Sequence, residues 1–342
     1  MMAGTPSFWW KPPGWQALAL WPLSLLYGFV SGRRMRRAAG FAASVPVLCV
    51  GNFTLGGAGK TPTALALAEA ARARGLVPGF LSRGYGGSLG GGVLVDPARH
   101  TAALVGDEPL LLARSAVTAV SRKRVDGARL LAGQGVDLII MDDGFQSARI
   151  AIDFALIVAD ARRGVGNGLG FPAGPLRAPL SIQAAAASAL LAVGEGEACA
   201  SLASDFLACG KPVFSAALEP EPAEDLRGAR VLAFAGIADP AKFQRTLEGL
   251  GAEVAERRDF ADHAPLSDVE IGALLRDAAS RGLKLVTTAK DAARLAGRDG
   301  LAAELLAATR VVKVKMAFAD PQAPQKIVAA AMDAGKARLR AP

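Results

Sequence analysis

The sequence predicts an α/β protein: a P-loop NTPase-like, mainly parallel sheet with a second, smaller α/β lobe and an N-terminal interfacial helix. Three observations carry the prediction. Apolar runs of strand length alternate with helical patterns along most of the chain, the signature of a parallel sheet covered on both faces. Within residues 45–75 an apolar run, a glycine-rich turn, Lys60-Thr61 and a helical pattern follow one another, which is the layout of a phosphate-binding loop. Residues 1–44 hold all four tryptophans, five basic residues and no acidic one.

Composition bounds the rest. The chain has 342 residues, 51% hydrophobic and 20% charged, enough for one large or two medium cores and unlike a disordered chain. The net charge is +8, and Lys11, Arg33, Arg34, Arg36 and Arg37 in the first 44 residues account for five of it. A basic segment beside apolar sequence suits anionic lipid, and no later stretch interleaves basic and aromatic residues as a nucleic-acid surface would. No nucleic-acid partner is expected. Cys49, Cys199 and Cys209 have no metal-ligand spacing, and two histidines, His100 and His263, exclude a His-rich zinc centre.

In chain order, residues 1–44 come first. The apolar part from Trp15 to Val30 is broken by Gln16, Pro22, Ser24 and Gly28 and is shorter than the roughly 20 residues a bilayer crossing needs. Tryptophans favour the headgroup level and the arginines behind them favour the cytoplasmic leaflet, so the segment reads as an interfacial anchor. An ordinary helix packed on the domain and a true transmembrane helix are the alternatives. The basic residues follow the apolar part, the reverse of a signal peptide.

Next comes the loop itself. Backbone N–H groups from Thr54, Leu55, Gly56, Gly57, Ala58, Gly59, Lys60 and Thr61 would cradle phosphates at a helix start, with Lys60 as a point charge and the Thr61 hydroxyl on Mg²⁺. The general motif asks for Gly where this chain has Thr54. A nucleoside triphosphate with Mg²⁺ is the expected ligand.

Further strands are expected at 77–82, 117–121, 137–141, 154–159, 190–193, 212–216, 231–235, 283–287 and 311–314, with helices at 108–115, 124–133, 240–249 and 268–281 between them. Asp142 and Asp143 end an apolar run, which places them at the carboxyl edge of the sheet, where one would serve Mg²⁺ as a Walker-B acid. A solvated Asp-Gly turn would give the same letters. Asp107 and Glu108 open a helix, where acidic residues are ordinary; the functional alternative is a base at Asp107 and a metal or positioning ligand at Glu108. Arg122, Lys123 and Arg124 could neutralise phosphates or form a solvated turn. The acidic, Pro-rich stretch 219–225 is the expected lobe boundary. The domains expected are 1–44 as membrane-associated helix, 45–222 as P-loop domain, 226–318 as smaller lobe and 320–342 as C-terminal helix.

Taken together, GNFTLGGAGKTP, SRGYGG, GDEP, VSRKR, DDGFQ, the run 167–177 containing PAGPLR, FADH and TxxKD at 287–291 resemble the tetraacyldisaccharide 4'-kinase family of lipid A biosynthesis, in that family's order over about residues 45–291. The family's loop resembles this one at Thr54. The resemblance implies an ATP- and Mg²⁺-dependent lipid kinase on the cytoplasmic face of the bacterial inner membrane, with an acylated disaccharide acceptor and the anionic membrane surface as partners. It implies that Asp107 paired with His263 activates the acceptor hydroxyl, that Glu108, Asp142 and Asp143 serve metal and positioning, and that Arg124, Gln146, Asn167 and Arg177 contact phosphates or sugar. The chain departs from the family at Ser147, where His is common, and at Ala289, where Glu is common. The rival reading is a membrane-surface switch ATPase with a deviant Walker-A loop, K-G-G-x-G-K-[ST]; Leu55 stands where its signature lysine belongs.

Overall fold

A computed structural model describes residues 5–57, 59–237, 240–261 and 264–340. After the N-terminal helix α1 (Trp15–Met35), the chain forms β1 (Val47–Gly51), α2 (Lys60–Ala73), β2 (Pro78–Ser82), β3 (Val93–Leu94), α3 (Ala102–Val105), α4 (Asp107–Ala113), β4 (Thr118–Val120), α5 (Arg124–Ala132), β5 (Leu138–Asp142), β6 (Phe154–Asp160), α6 (Leu180–Ala186), β7 (Ala189–Val193), α7 (Ala200–Ala208) and β8 (Val213–Pro220). The second half continues with β9 (Arg230–Ala235), α8 (Pro240–Gly249), β10 (Glu253–Asp259), α9 (Asp268–Arg281), β11 (Lys284–Thr288), α10 (Ala289–Leu295), α11 (Leu301–Ala308), β12 (Thr309–Val312), β13 (Val314–Phe318) and α12 (Ala323–Arg340).

The larger sheet has nine strands in the order β13-β8-β7-β6-β1-β5-β2-β4-β3. Strands β8 to β4 run parallel, and the antiparallel pairs are at the edges, β13 on β8 and β3 on β4. Alternate residues of the central strands feed two cores. Leu48, Val50, Leu138, Ile140 and Leu156 face α2 and α12 through Leu67, Ile327 and Val328. Val47, Cys49, Ile139, Met141 and Ile157 face the other side with Leu131 of α5 and Phe206 of α7. Burial on both faces explains why these strands are continuously apolar rather than alternating. It also makes Cys49 a core residue, its thiol pushed far up by burial.

The smaller sheet is β10-β9-β11-β12, all parallel, with its own cores around Val231 and Val286 and around Phe234, Ile271 and Leu305. Helix α9 starts on a capping box between Ser267 and Glu270.

Three expectations need correcting. The single strand expected at 311–314 is two strands broken at Lys313: β12 closes the small sheet, and β13 returns to the large one, Val314 opposite Pro220 and Phe318 opposite Ala216. The last strand inside the range 226–318 therefore belongs to the larger sheet. The expected boundary at 219–225 begins inside a strand, since β8 runs to Pro220; that proline is the last residue of the strand, past its pairing with β7, which ends at Ala216. Strand β10 was not expected, because an edge strand reading Glu253-Val254-Ala255-Glu256-Arg257-Arg258-Asp259 lacks a buried face.

Helix α1 divides its residues by size. Ala17, Ser24, Gly28 and Gly32 are buried against the protein, and a Cβ at Gly32 would come within 2.6 Å of Ile182. Trp15, Leu18, Leu23, Leu25, Leu26, Phe29 and Val30 face outward, Phe29 with 68% of its surface exposed. Among the described residues no helix is long and apolar enough to cross a membrane.

Candidate active site

The carboxyl ends of β1 and β5 lie side by side, so the loops that leave them must meet. The loop after β1 turns on Gly56 (φ +117°) and Gly59 (φ +90°), the latter capping α2. Both are in the left-handed region that favours glycine. The Asn52 amide donates to Gly56 O at 3.0 Å and the Thr63 hydroxyl to Gly59 O at 2.8 Å, which closes the loop. Thr54 has ordinary backbone geometry, bridging Leu176, so the glycine of the general motif is not needed there. The Leu55 N–H is committed to Pro175 O at 2.8 Å. Gly57 lies between the two turning glycines, and Ala58 lies outside the described residues.

The loop after β5 supplies carboxylates. The Thr61 hydroxyl donates to Asp142 Oδ2 at 2.9 Å, inside the protein. The other oxygen, Asp142 Oδ1, is buried with no protein partner. Burial first, and then the negative charge of Glu108, push the Asp142 carboxyl above the usual carboxylate range. Glu108 thus acts on Asp142 although it lies 34 positions earlier in the chain. Asp143 takes φ +60°, unusual outside glycine. Burial would raise its carboxyl too, but Lys60 at 3.7 Å and Arg177 at 2.9 Å hold it at about 2.

The expected substrate ligands have protein partners. Arg177 bridges the two loops, donating from Nε to Thr54 O at 3.1 Å and from Nη1 to both Asp143 oxygens. Arg124 is buried beneath the turn and donates to Asp143 O; its Nε has no partner, and a Cβ on Gly144 would come 2.8 Å from it. Gln146 donates to Asn52 O (2.7 Å) and Gln183 Oε1 (2.8 Å). Asn167 closes its own loop on Ala173 O and Leu169 N–H.

Asp107 and Glu108 begin α4 directly after Gly106, whose φ of +92° and close approach to Tyr85 O leave no room for a side chain. Here the SRGYGG loop packs under the GDEP turn. Asp107 is 4% exposed, and its Oδ1 accepts from the Glu108 N–H at 2.9 Å. Its Oδ2 receives Arg294 of the smaller lobe, from Nε at 2.9 Å and Nη2 at 2.7 Å. Lys290 donates to Glu108 Oε1 at 2.6 Å. Sequence reasoning missed both cations. Lys290 lay inside the TxxKD stretch, and Arg294 is one helical turn beyond it, the spacing that puts both on one face of α10. His263 lies outside the described residues.

A groove of about 680 Å³ runs between α1 and residues 168–182, apolar along Trp21, Leu25, Phe29, Leu180 and Ile182, with Arg33, Arg36 and Arg37 at one end. It shares Gly170 and Leu176 with the segment that bridges Thr54. Ser24 and Trp9 tie the N-terminal region to that segment, at Gly170 O (2.8 Å) and Pro172 O (3.0 Å).

The arrangement suits phosphoryl transfer: a glycine turn at a helix start, a buried hydroxyl–carboxylate couple, and a second carboxylate held at the start of α4. Among the described residues no three His, Cys, Asp or Glu side chains converge as a metal cage. Mg²⁺ on a nucleotide asks for less, one or two protein oxygens beside phosphates and waters, and the unpartnered Asp142 Oδ1 next to Thr61 fits that need.

Known proteins agree with this chemistry. The sequence model described as tetraacyldisaccharide-1-P 4'-kinase matches residues 16–333. A tetraacyldisaccharide 4'-kinase of Agrobacterium fabrum is 57% identical over 339 residues, covering 99% of this chain and 97% of its own. One from Allorhizobium ampelinum is 56% identical, covering 97% and 98%. The crystal structure of Aquifex aeolicus LpxK in complex with ATP superposes with a TM-score of 0.72 at 26% identity, covering 92% of this chain and 99% of that one.

Proposed function

The chain belongs to the tetraacyldisaccharide-1-P 4'-kinase family, and on that premise we propose how its residues carry the reaction. The enzyme is an ATP-dependent kinase that moves the γ-phosphoryl group of ATP to the 4'-hydroxyl of a tetraacyl disaccharide 1-phosphate, a lipid A precursor. The observation that carries the residue assignment is the buried Thr61–Asp142 couple, with the acidic start of α4 close enough for Glu108 to act on Asp142.

The glycine turn that begins at Gly56 and the N-terminus of α2 hold the β- and γ-phosphates through backbone N–H groups, and Lys60 neutralises them; Leu55, expected in the cradle, has its N–H committed to Pro175 O. Thr61 and Asp142 would hold Mg²⁺, with Glu108 and Asp143 beside them; the ion supplies charge neutralisation at the phosphates. Asp107 takes the proton of the 4'-hydroxyl while that oxygen attacks the γ-phosphorus in line. The bond from γ-phosphorus to the bridging oxygen breaks and ADP leaves. His263 assists Asp107. Arg177 spans both loops and presents charge to the site. Arg124, Gln146 and Asn167, expected on phosphates or sugar, contribute by holding the loops in shape.

We further propose that α1 lies in the cytoplasmic leaflet of the inner membrane, outward face in the acyl region and Arg33, Arg34, Arg36 and Arg37 at anionic headgroups. The acyl chains of the acceptor follow the apolar groove. Returning each methylene to water costs about 0.8 kcal/mol, so an acceptor carrying four chains is met at the membrane. The triple variant Leu18→Gln, Leu26→Gln, Phe29→Gln is expected to lose most of its binding to anionic vesicles while keeping ATP affinity. Unchanged vesicle binding would place the anchor elsewhere.

The reaction is tested by transfer of labelled γ-phosphate from ATP to a tetraacyl disaccharide monophosphate in detergent. ATP hydrolysis stimulated by membranes, with no transfer, would favour a switch ATPase instead.

A further inference from the structure

We infer that Arg294, on the smaller lobe, is the positioning residue that aims the Asp107 carboxylate. The inference rests on the reading of Asp107 as the base. Arg294 extends from α10 and is pinned on its far side by its own lobe: Nη1 donates to Asp291 Oδ1 and to Gly236 O, each at 2.7 Å. Asp291 is braced in turn by the Gly236 N–H at 3.0 Å and the Thr288 hydroxyl at 2.7 Å. The near side of the same guanidinium grips Asp107 Oδ2 with two donors. Both side chains are almost fully enclosed, 8% and 5% exposed.

A guanidinium is planar and carries its donors in a rigid fork. Once three of its nitrogens are committed, its plane is fixed, and so is the carboxylate it holds. Oδ1 of Asp107 is set independently by the first turn of α4, through the Glu108 N–H. The carboxylate is thus held from both lobes. A pair that only fastened two surfaces would need neither the buried brace nor a carboxylate pinned at both oxygens. A base must sit within hydrogen-bond reach of the proton it abstracts, and about 1 Å of misplacement costs on the order of 10²-fold in rate.

The substitution Arg294→Lys separates charge from aim, because an ammonium neutralises the two buried carboxylates but cannot reproduce the fork. We expect Arg294→Lys to keep a melting temperature near wild type, to lose roughly 30- to 100-fold in kcat, and to leave KM for ATP within about threefold. Placed in an Asp107→Asn background, the same change should cost nothing more, since its effect passes through Asp107. Asp291→Asn, which weakens the brace and keeps both partners, should cost about 10-fold in kcat with the same unchanged KM, and it carries the test if Arg294→Lys does not fold. A kcat near wild type for Arg294→Lys and Asp291→Asn overturns the inference, as does an equal further loss in the Asp107→Asn background. If Asp107→Asn alone keeps wild-type kcat, the base reading falls and takes the inference with it. If Asp107→Asn is crippled and the Arg294 and Asp291 variants are not, only the inference falls.

Discussion

The two lobes contribute to the site by different physics. The larger lobe builds its part from backbone at the ends of β1 and β5, buried strands locked side by side at the centre of nine. The described residues of that cradle all come from the larger lobe. Among its described residues the smaller lobe contributes the side chains of Lys290 and Arg294, across an interface to carboxylates more than 180 positions earlier in the chain. On the roles proposed above, gripping the nucleotide and aiming the base are separable tasks. The first belongs to one sheet edge, and the second exists only where the lobes dock.

The largest test of that division is Asp107→Ala. Loss of a general base should reduce turnover about 10³-fold and leave ATP affinity nearly unchanged, and His263→Ala should move in the same direction. Equilibrium ATP binding measured beside turnover decides it, and a matching loss in both quantities would erase the division. Next is Thr61→Val, on the cradle side. It strips Asp142 of the Thr61 hydroxyl and removes the oxygen proposed for Mg²⁺, so turnover should fall on the order of 10²-fold and the Mg²⁺ requirement should rise, with KM for the lipid unchanged. Titration of activity against Mg²⁺ reads it. Lys290→Ala is smaller. Its pair with Glu108 is about one-third exposed, and such pairs are worth up to about 1 kcal/mol, so turnover should drop no more than about fivefold. A loss as large as that of Asp107→Ala would show that the lobes act as one unit.

The smallest effect is in acid. Asp143 is held at about 2, below its ordinary 3.8, so its ionised form stabilises the fold above about pH 4. That contribution is lost as pH falls toward 2. Asp143→Asn removes it, and the side chain is one-third exposed, so the screened difference is on the order of 1 kcal/mol. Urea unfolding at pH 6 and pH 2.5 should show wild type losing more stability than Asp143→Asn over that interval.

The sequence was legible where chemistry and chain proximity coincide. The strand, glycines, Lys60, Thr61 and helix of the cradle are contiguous, and Asp142-Asp143 closes a run too apolar to be anything but a buried strand. Arg294 is the opposite case. In a helical pattern an arginine reads as surface, and nothing local announces that it crosses to Asp107. Arg177 was placed on the substrate, and the structure adds that it ties the two loops together, a role only the tertiary fold creates. Strand β10 escaped notice because charged residues are what an edge strand carries. Helix α1 was read from its tryptophans and arginines, but the stripe of Ala17, Ser24, Gly28 and Gly32 that seats it emerges only with Ile182 and Pro179 facing it.

The return of β13 to the large sheet has one more consequence. Because Val314 pairs with Pro220, and the Glu221 N–H still donates to Lys313 O at 2.9 Å, both chain crossings between the lobes are neighbours in one ladder. In topology the protein is a β-hairpin whose loop has grown into residues 221–313. That loop has its own sheet and cores, so once it folds its ends are already held together, and the large sheet can gain its last strand without closing a long floppy loop. The lobe that carries Lys290 and Arg294 is thus an insertion at a single turn of the sheet that carries the glycine loop.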